Sequence, residues 1–326
     1  MLRLALIGGT DRVANYQLLA PRLREAQFTA VVERSAKEAR KVAAFLGAET
    51  WSTSVNDLLT GHDAMVDAVI IDSAAVDPVD DCRHAFTANK HLLLASSALF
   101  NPLALHEITV LAANARSQFM WGTPFRFLPS VKTMKESLTK RQLGDLGLVR
   151  MHRWEFKSET KSTDNLLSDI DLIRWLFEQP PSLVFAKARE HRKHRPLKFQ
   201  EYRQIHFGFP ADGMALLDHD HVPAAREQED YFSLSLIGSA GAAHADDHHN
   251  MQLLYGQGHP AALKTSQGNL AQLAQLQEFI TSIAEDRAPH PGPSELQIAL
   301  EIHAAVTKSI AVGRAMAFEP TTTQPT

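Results

Sequence analysis

LRLALIGGTDRVANYQLLA, residues 2–20, reads as a buried strand that turns on two glycines and enters a helix. In the dinucleotide-binding fingerprint G-x-G-x-x-G, the glycines allow a tight turn, close approach of pyrophosphate to backbone, and close packing of helix on strand. The matching positions here are Gly8, Thr10 and Val13, so one glycine of three stands. Gly9, Thr10, Asp11 and Arg12 complete the turn, and Asp11 puts a carboxylate where a helix N-terminus offers its positive end to an anion. At about 5 Å and an effective dielectric near 20, Asp11 would repel a phosphate by roughly 3 kcal/mol, which Arg12 can offset. Two readings of the turn stay open: a phosphate cradle, or a strand-to-helix turn capped by Thr10 or Asp11 without ligand.

Moving outward, apolar runs such as FTAVVE, AVIID and HLLLAS alternate with amphipathic segments such as SAKEARKVAAFLG and ALHEITVLAANAR. That rhythm predicts a parallel doubly wound sheet over residues 1–120, its strands apolar throughout because both faces are covered. Glu33 ends the second strand about 20 residues after the turn, where a carboxylate accepts hydrogen bonds from an adenosine ribose. Arg34 beside it suits a 2′-phosphate, so the pair does not decide between NAD and NADP.

From residue 121 to 326 the texture changes to alternating strands, LVRMHRWEF and YFSLSLIG, with a helix at DNLLSDIDLIRWLF and late helices at Leu270–Glu285 and Ser294–Val312. A second, α+β domain with an open, mostly antiparallel sheet is expected there. The stretch from Lys187 to Ala225 reads as loop-rich. At 326 residues, 44% apolar and 21% charged, the chain suits two soluble domains. A formal charge of -4 with scattered cations gives neither nucleic acid nor membrane a field to follow. The single cysteine, Cys82, leaves no internal disulfide, and a cytoplasmic setting is the simplest expectation.

Taken in order, the turn with Glu33, NKHLLLASSALFNP, FRFLP, QLGDLGLV, DNLLSDIDLIRWL, LIGSAGA and LQEFITSIAEDRAPHP resemble the Gfo/Idh/MocA family of glucose-fructose oxidoreductase and inositol dehydrogenase, over residues 2 to about 318. The resemblance implies a Rossmann domain, a C-terminal sheet that often forms a homo-oligomer interface, NAD or NADP as cofactor, and a sugar-like or cyclitol ligand. The family's Glu-Lys-Pro motif falls on Ala95, Ser96 and Ser97, so its nicotinamide-contacting lysine is Ser96 here. Its Asp-x-x-x-His-x-x-Asp helix motif, which puts three groups on one face, falls on Asp164, Ser168 and Asp171. Both carboxylates stand and the histidine is absent.

Taking the hydroxyl proton during hydride removal is work for a His or a pKa-lowered Lys, and a serine does not do it at neutral pH; losing that help typically costs about 100- to 10,000-fold. Asp164 and Asp171 are therefore the candidate acid/base groups, set against a helix cap and a structural partner of Arg174 at i+3. Arg126 either holds an anionic substrate group or packs between Phe125 and Phe127. The histidines of HRKH (191–194), DHDH (218–221) and HADDHH (244–249) read as solvated loop residues, and no metal site is expected. Two functions follow: an oxidoreductase with a rearranged acid/base set, or a non-catalytic descendant that binds a ligand or partner in the inherited cleft.

Overall fold

A computed structural model describes residues 1–10, 13–61, 66–72, 78–95, 101–157, 165–190, 201–223, 231–246, 251–255, 261–264 and 269–320. The chain divides into two compact units, one of residues 1–124 and 268–297, the other of residues 125–267 and 298–326. The first break falls close to residue 120, but the segment 268–297 returns to the first unit. A reading in two consecutive blocks does not show this, because such a return depends on contacts distant in sequence.

The first unit holds strands β1 (Leu2–Ile7), β2 (Ala26–Val32), β3 (Thr50–Ser52), β4 (Ala68–Ile71), β5 (His91–Leu94) and β6 (Phe119–Trp121). They form one parallel sheet in the order β3-β2-β1-β4-β5-β6, the order of a doubly wound nucleotide-binding sheet. Leu4–Ile7, Ala68–Ile71 and Leu92–Leu94 are all at most 1% exposed, as burial on both faces requires. The order reverses between β1 and β4, which places the opening turn at the crevice where ligands of such sheets bind. Helix α1 runs only Val13–Leu19, because Pro21 lacks a backbone N–H and a tighter turn at Ala20–Arg22 follows. Helix α2 (Ala36–Leu46) keeps its full length, capped by Ser35, which accepts from the Glu38 N–H at 3.2 Å, and ended by Gly47 at φ +69°. Helices α3 (Val55–Thr60), α4 (Pro78–Thr87), α5 (Pro102–Ala113) and the returning α8 (Asn269–Ala284) complete the unit. Gln275 of α8 donates to the Ala95 carbonyl at 3.2 Å, tying the return to the end of β5.

The second unit holds α6 (Pro129–Thr139), β7 (Leu146–Lys157), α7 (Leu166–Phe177), β8 (Leu183–Glu190), β9 (Glu201–Gly208), β10 (Met214–Pro223), β11 (Tyr231–Gly238), β12 (Ala242–Asp246), β13 (Met251–Tyr255), β14 (Ala261–Lys264) and β15 (Met316–Ala317). Its sheet has the order β14-β13-β12-β11-β7-β10-β9-β8-β15, antiparallel except for β7 and β10. Helix α9 (Pro293–Val312) begins in the first unit and continues into the second. There Ser309 Oγ accepts from the Ala186 N–H at 2.9 Å and donates to the Arg314 carbonyl at 2.7 Å. The stretch expected to be loop-rich, Lys187–Ala225, instead supplies half of β8 and all of β9 and β10. Ile205, Phe207, Ala215 and Leu217 recur on the buried phase of its alternation.

Candidate functional site

In the first unit the candidate residues gather at the turn after β1. Gly8 sits at φ +72°, which glycine adopts without strain, and its N–H donates to Val32 O at 3.0 Å. A Cβ on Gly9 would lie 2.4 Å from Cδ2 of the fully buried Leu6, so this position also needs a glycine. The glycine at position 9 thus lets the turn pack closely on β1. The Thr10 N–H, however, donates to Glu33 Oε1 at 2.7 Å. The carboxylate expected at a ribose folds back onto a turn N–H of the kind a phosphate would use. Glu33 is only 6% exposed, and burial raises its pKa above the ordinary carboxylate value against the opposing bonds from Thr10. Arg34 beside it is exposed. Asp11, Arg12 and Ser96 lie outside the described residues.

One residue at this crevice went unremarked in the sequence. Asp72 ends β4 as Glu33 ends β2, is 2% exposed, and its N–H donates to Ile7 O at 3.0 Å. The signal was present, since the apolar run AVII stops on it. Two buried carboxylates thus flank the end of β1, a poor setting for phosphate charge. Nearby, where β5 and β6 end, Trp121 Nε1, Thr123 Oγ1 and Gln275 Oε1 are buried without a hydrogen-bond partner among the described residues. Polar atoms so placed suit a ligand with hydrogen-bonding groups.

In the second unit α7 is buried on nearly all sides, from Leu166 to Arg174. Asp171 is fully buried and receives Arg126 through both Nε, at 2.6 Å from Oδ2, and Nη2 on Oδ1; Arg174 Nη2 adds a bond at 3.1 Å. The i+3 structural partner is therefore present. Arg126 neither packs simply between its phenylalanines nor leaves its fork open, since its guanidinium grips Asp171 and lies 5.3 Å from the Trp175 ring. Ser168 is buried at 2% exposure on the same side of the helix as Asp171, and Asp164 lies outside the described residues.

About 200° around α7 from Asp171, Asp169 faces the sheet. Its Oδ1 accepts from Arg153 Nη2 at 2.7 Å, and its Oδ2 from Arg153 Nε at 3.2 Å and His219 Nδ1 at 3.0 Å. The Arg153 guanidinium lies 3.7 Å from the Phe125 ring and 4.7 Å from that of Phe232. Beside it Glu155 Oε2 meets His221 Nε2 at 2.8 Å and His219 Nε2 at 3.5 Å. Glu155 Oε1 accepts from Asn165 N at 3.0 Å and from its side-chain amide. Burial opposes ionisation of Glu155, but the two histidines overcome it and hold the carboxyl well below the usual range.

This cluster corrects the reading of DHDH as a solvated loop: His219 and His221 are 0% and 1% exposed on β10. In MALLDHDH, Ala215 and Leu217 share the phase of the two histidines, while Asp218 and Asp220 take the other, less buried one. Period-two alternation across residue types was the available signal. His191, His194, His248 and His249 lie outside the described residues. Chemically, Asp169 orients the His219 ring and leaves Nε2 directed at Glu155, an arrangement that suits a proton-handling group or a metal ligand.

No protein-family model and no curated protein sequence matches the chain. Solved structures do. Levoglucosan dehydrogenase, in complex with NADH and L-sorbose, is 15% identical at a TM-score of 0.82, covering 97% of this chain and 98% of that one. An oxidoreductase from Agrobacterium radiobacter, in complex with NAD+, L-tartaric acid and magnesium, is 14% identical at 0.81, with 97% and 98% covered. The myo-inositol 2-dehydrogenase of Lactobacillus plantarum is 17% identical at 0.74, with 98% and 99% covered. At these identities the likeness establishes the fold, that of sugar and inositol dehydrogenases. No helix among the described residues is long and apolar enough to cross a membrane.

Two predictions follow from these contacts. Asp171→Asn leaves two buried guanidinium groups facing a neutral amide and should cost about 3–5 kcal/mol in urea unfolding, with Arg126→Met/Asp171→Leu recovering much of the loss. Because Glu33 has a raised folded-state pKa, its stability contribution is present below the unfolded value and lost as pH rises through the folded one. Glu33→Gln should therefore melt above the wild type at pH 7, and the gap should close as pH falls below the ordinary glutamate value near about 4.3. A gap that is constant with pH would contradict this origin.

Proposed function

We propose that this chain is a sugar- or cyclitol-binding protein of dehydrogenase fold that retains a nicotinamide-dinucleotide site and has lost the family's lysine–histidine chemistry. The observation that carries the reading is the state of Asp171. It is the one carboxylate of the helix motif within the described residues, and its oxygens are held by Arg126 and Arg174. A fully buried carboxylate whose oxygens are already bonded to two guanidinium groups is not open to a substrate hydroxyl. Ser168 stands at the histidine position and Ser96 at the lysine position, and neither replaces the missing base.

The turn supports NAD or NADP as the cofactor. Gly8 takes the left-handed turn that follows the first strand of such sheets, and Glu33 stands at the end of β2. When bound, a nicotinamide ring supplies a hydride donor or acceptor. This chain's residues bind and orient: Glu33 must release the Thr10 N–H as phosphate arrives, which makes the site weaker than a three-glycine turn. The outer face of the second unit's sheet carries Trp154, Tyr202, Met214 and Ile237, each between 39% and 52% exposed. A second copy of the chain covers that face in a homo-oligomer.

A second reading, an oxidoreductase with a rearranged acid/base set, draws on the Asp169–His219 pair, a carboxylate-oriented imidazole. Turnover separates the two. In the purified, nucleotide-free protein, NADH or NADPH at 100 times its dissociation constant should stabilise by about 2.7 kcal/mol, seen as a melting shift. Oxidation of sugars and cyclitols with NAD+ or NADP+ should stay at background, and Ser96→Lys/Ser168→His should raise it by about 100-fold or more. Wild-type turnover of about 1 per second or faster would establish the second reading, and His219→Gln would then abolish it. No melting shift with either nucleotide at millimolar concentration would remove the cofactor from both.

A further inference from the structure

The strongest feature outside the dehydrogenase motifs is the polar array on the inner face of the second unit's sheet. His221 pairs with Glu155 across the parallel β7–β10 register, and His219 pairs with Arg153 one step before. Parallel pairing and period-two alternation bring Glu155, His219 and His221 onto one face. Their donor atoms all lie within 4.8 Å of one another, with Glu155 Oε2 at 2.8 Å from His221 Nε2 and 3.5 Å from His219 Nε2. Tetrahedral zinc bonds of about 2.0–2.1 Å imply donor separations of about 3.3 Å. The two separations from Glu155 Oε2, 2.8 and 3.5 Å, bracket that spacing.

We propose that Glu155, His219 and His221 bind one zinc-like divalent transition-metal ion that fastens β7 to β10 beneath α7. Two imidazoles and one carboxylate favour zinc, cobalt or nickel over magnesium and calcium, which take oxygen ligands. The surroundings are those of a metal site. Asp169 accepts from His219 Nδ1 at 3.0 Å, which turns the Nε2 lone pair toward Glu155. Asn165 holds Glu155 Oε1 and leaves Oε2 for the ion. All three ligands are at most 1% exposed, so the ion acts as a structural fastening.

Two cations border the array. Arg153 is paired with Asp169. Arg203 Nη2 lies 3.4 Å from His221 Nδ1, which favours the proton on Nε2 in the metal-free ring. Metal binding must displace that proton, shift the ring to its Nδ1–H form and turn Arg203 away. The proton stays on the ring, moving from Nε2 to Nδ1, and the metal takes the freed Nε2 lone pair. Without an ion, the same side chains form a histidine–carboxylate hydrogen-bond network, and the experiment must separate the two.

The test uses the full chain, stripped with chelator and titrated with Zn2+ by calorimetry and with Co2+ by visible absorption. The proposal expects one equivalent bound, a raised melting temperature, and a cobalt spectrum of tetrahedral nitrogen–oxygen ligation. Glu155→Gln and His221→Gln should each weaken binding by about 100-fold or more. Arg203→Ala should tighten it, and His244→Gln, at a half-buried histidine on β12 outside the array, should leave it unchanged. Folded Glu155→Gln and His221→Gln proteins that bind as tightly as the wild type overturn the proposal. Should those variants fail to fold, the wild type decides alone: no tetrahedral cobalt signal means a metal-free network. None of these readouts involves nucleotide, so this result and that of the proposed function stand or fall separately.

Discussion

Asp169 has to satisfy Arg153 and His219 at once, inside protein, and much of the second unit is arranged to let it. Taking a carboxylate, a guanidinium and an imidazole out of water costs several kcal/mol per ion unless each finds well-placed partners. Here Arg153 is flanked by two aromatic rings and bonded to both Asp169 oxygens, and His219 bridges toward Glu155. That chain of contacts fixes the rotation of α7 over the sheet. Once Asp169 points at the sheet, Ser168 and Asp171 must lie on the other side of the helix, where Arg126 and Arg174 hold the second carboxylate. Helix α7 is thus clamped from two sides by ion pairs.

The first unit shows the same economy on a smaller scale. The turn retains the backbone geometry for phosphate, with Gly8 left-handed and Gly9 against Leu6, while Glu33 occupies the Thr10 N–H. A buried carboxylate with a raised pKa holds its place only because that donor stabilises its ionised form. Geometry suited to a dinucleotide and electrostatics that weaken it therefore coexist in one loop. In both units a buried carboxylate is held by donors of the chain itself, Glu33 by the Thr10 N–H and Asp171 by two guanidinium groups.

What could be read in advance follows from how local each signal is. Leu4–Ile7, Ala68–Ile71 and Leu92–Leu94 announce doubly covered parallel strands because nothing polar interrupts them, and Ser35 with Gly47 marks both ends of α2. β8, β9 and β10 were hidden because KARE, EYRQIH and LDHDH look like solvated chain by residue type. Only their alternation reveals a sheet with a polar inner face. The grip of Arg126 on Asp171 spans 45 residues, and the return of Gln275 to Ala95 spans 180, so no short window contains either. The i+3 bond from Arg174 to Asp171 is local and was legible.

The account rests on Asp169 and His219 acting as one unit, and a double-mutant cycle measures that directly. Asp169→Asn, His219→Gln and the double variant would be unfolded in urea beside the wild type. A coupling energy of about 1–3 kcal/mol is the predicted result, whereas effects that add to within about 0.5 kcal/mol would show that the pair is adjacent without organising the unit.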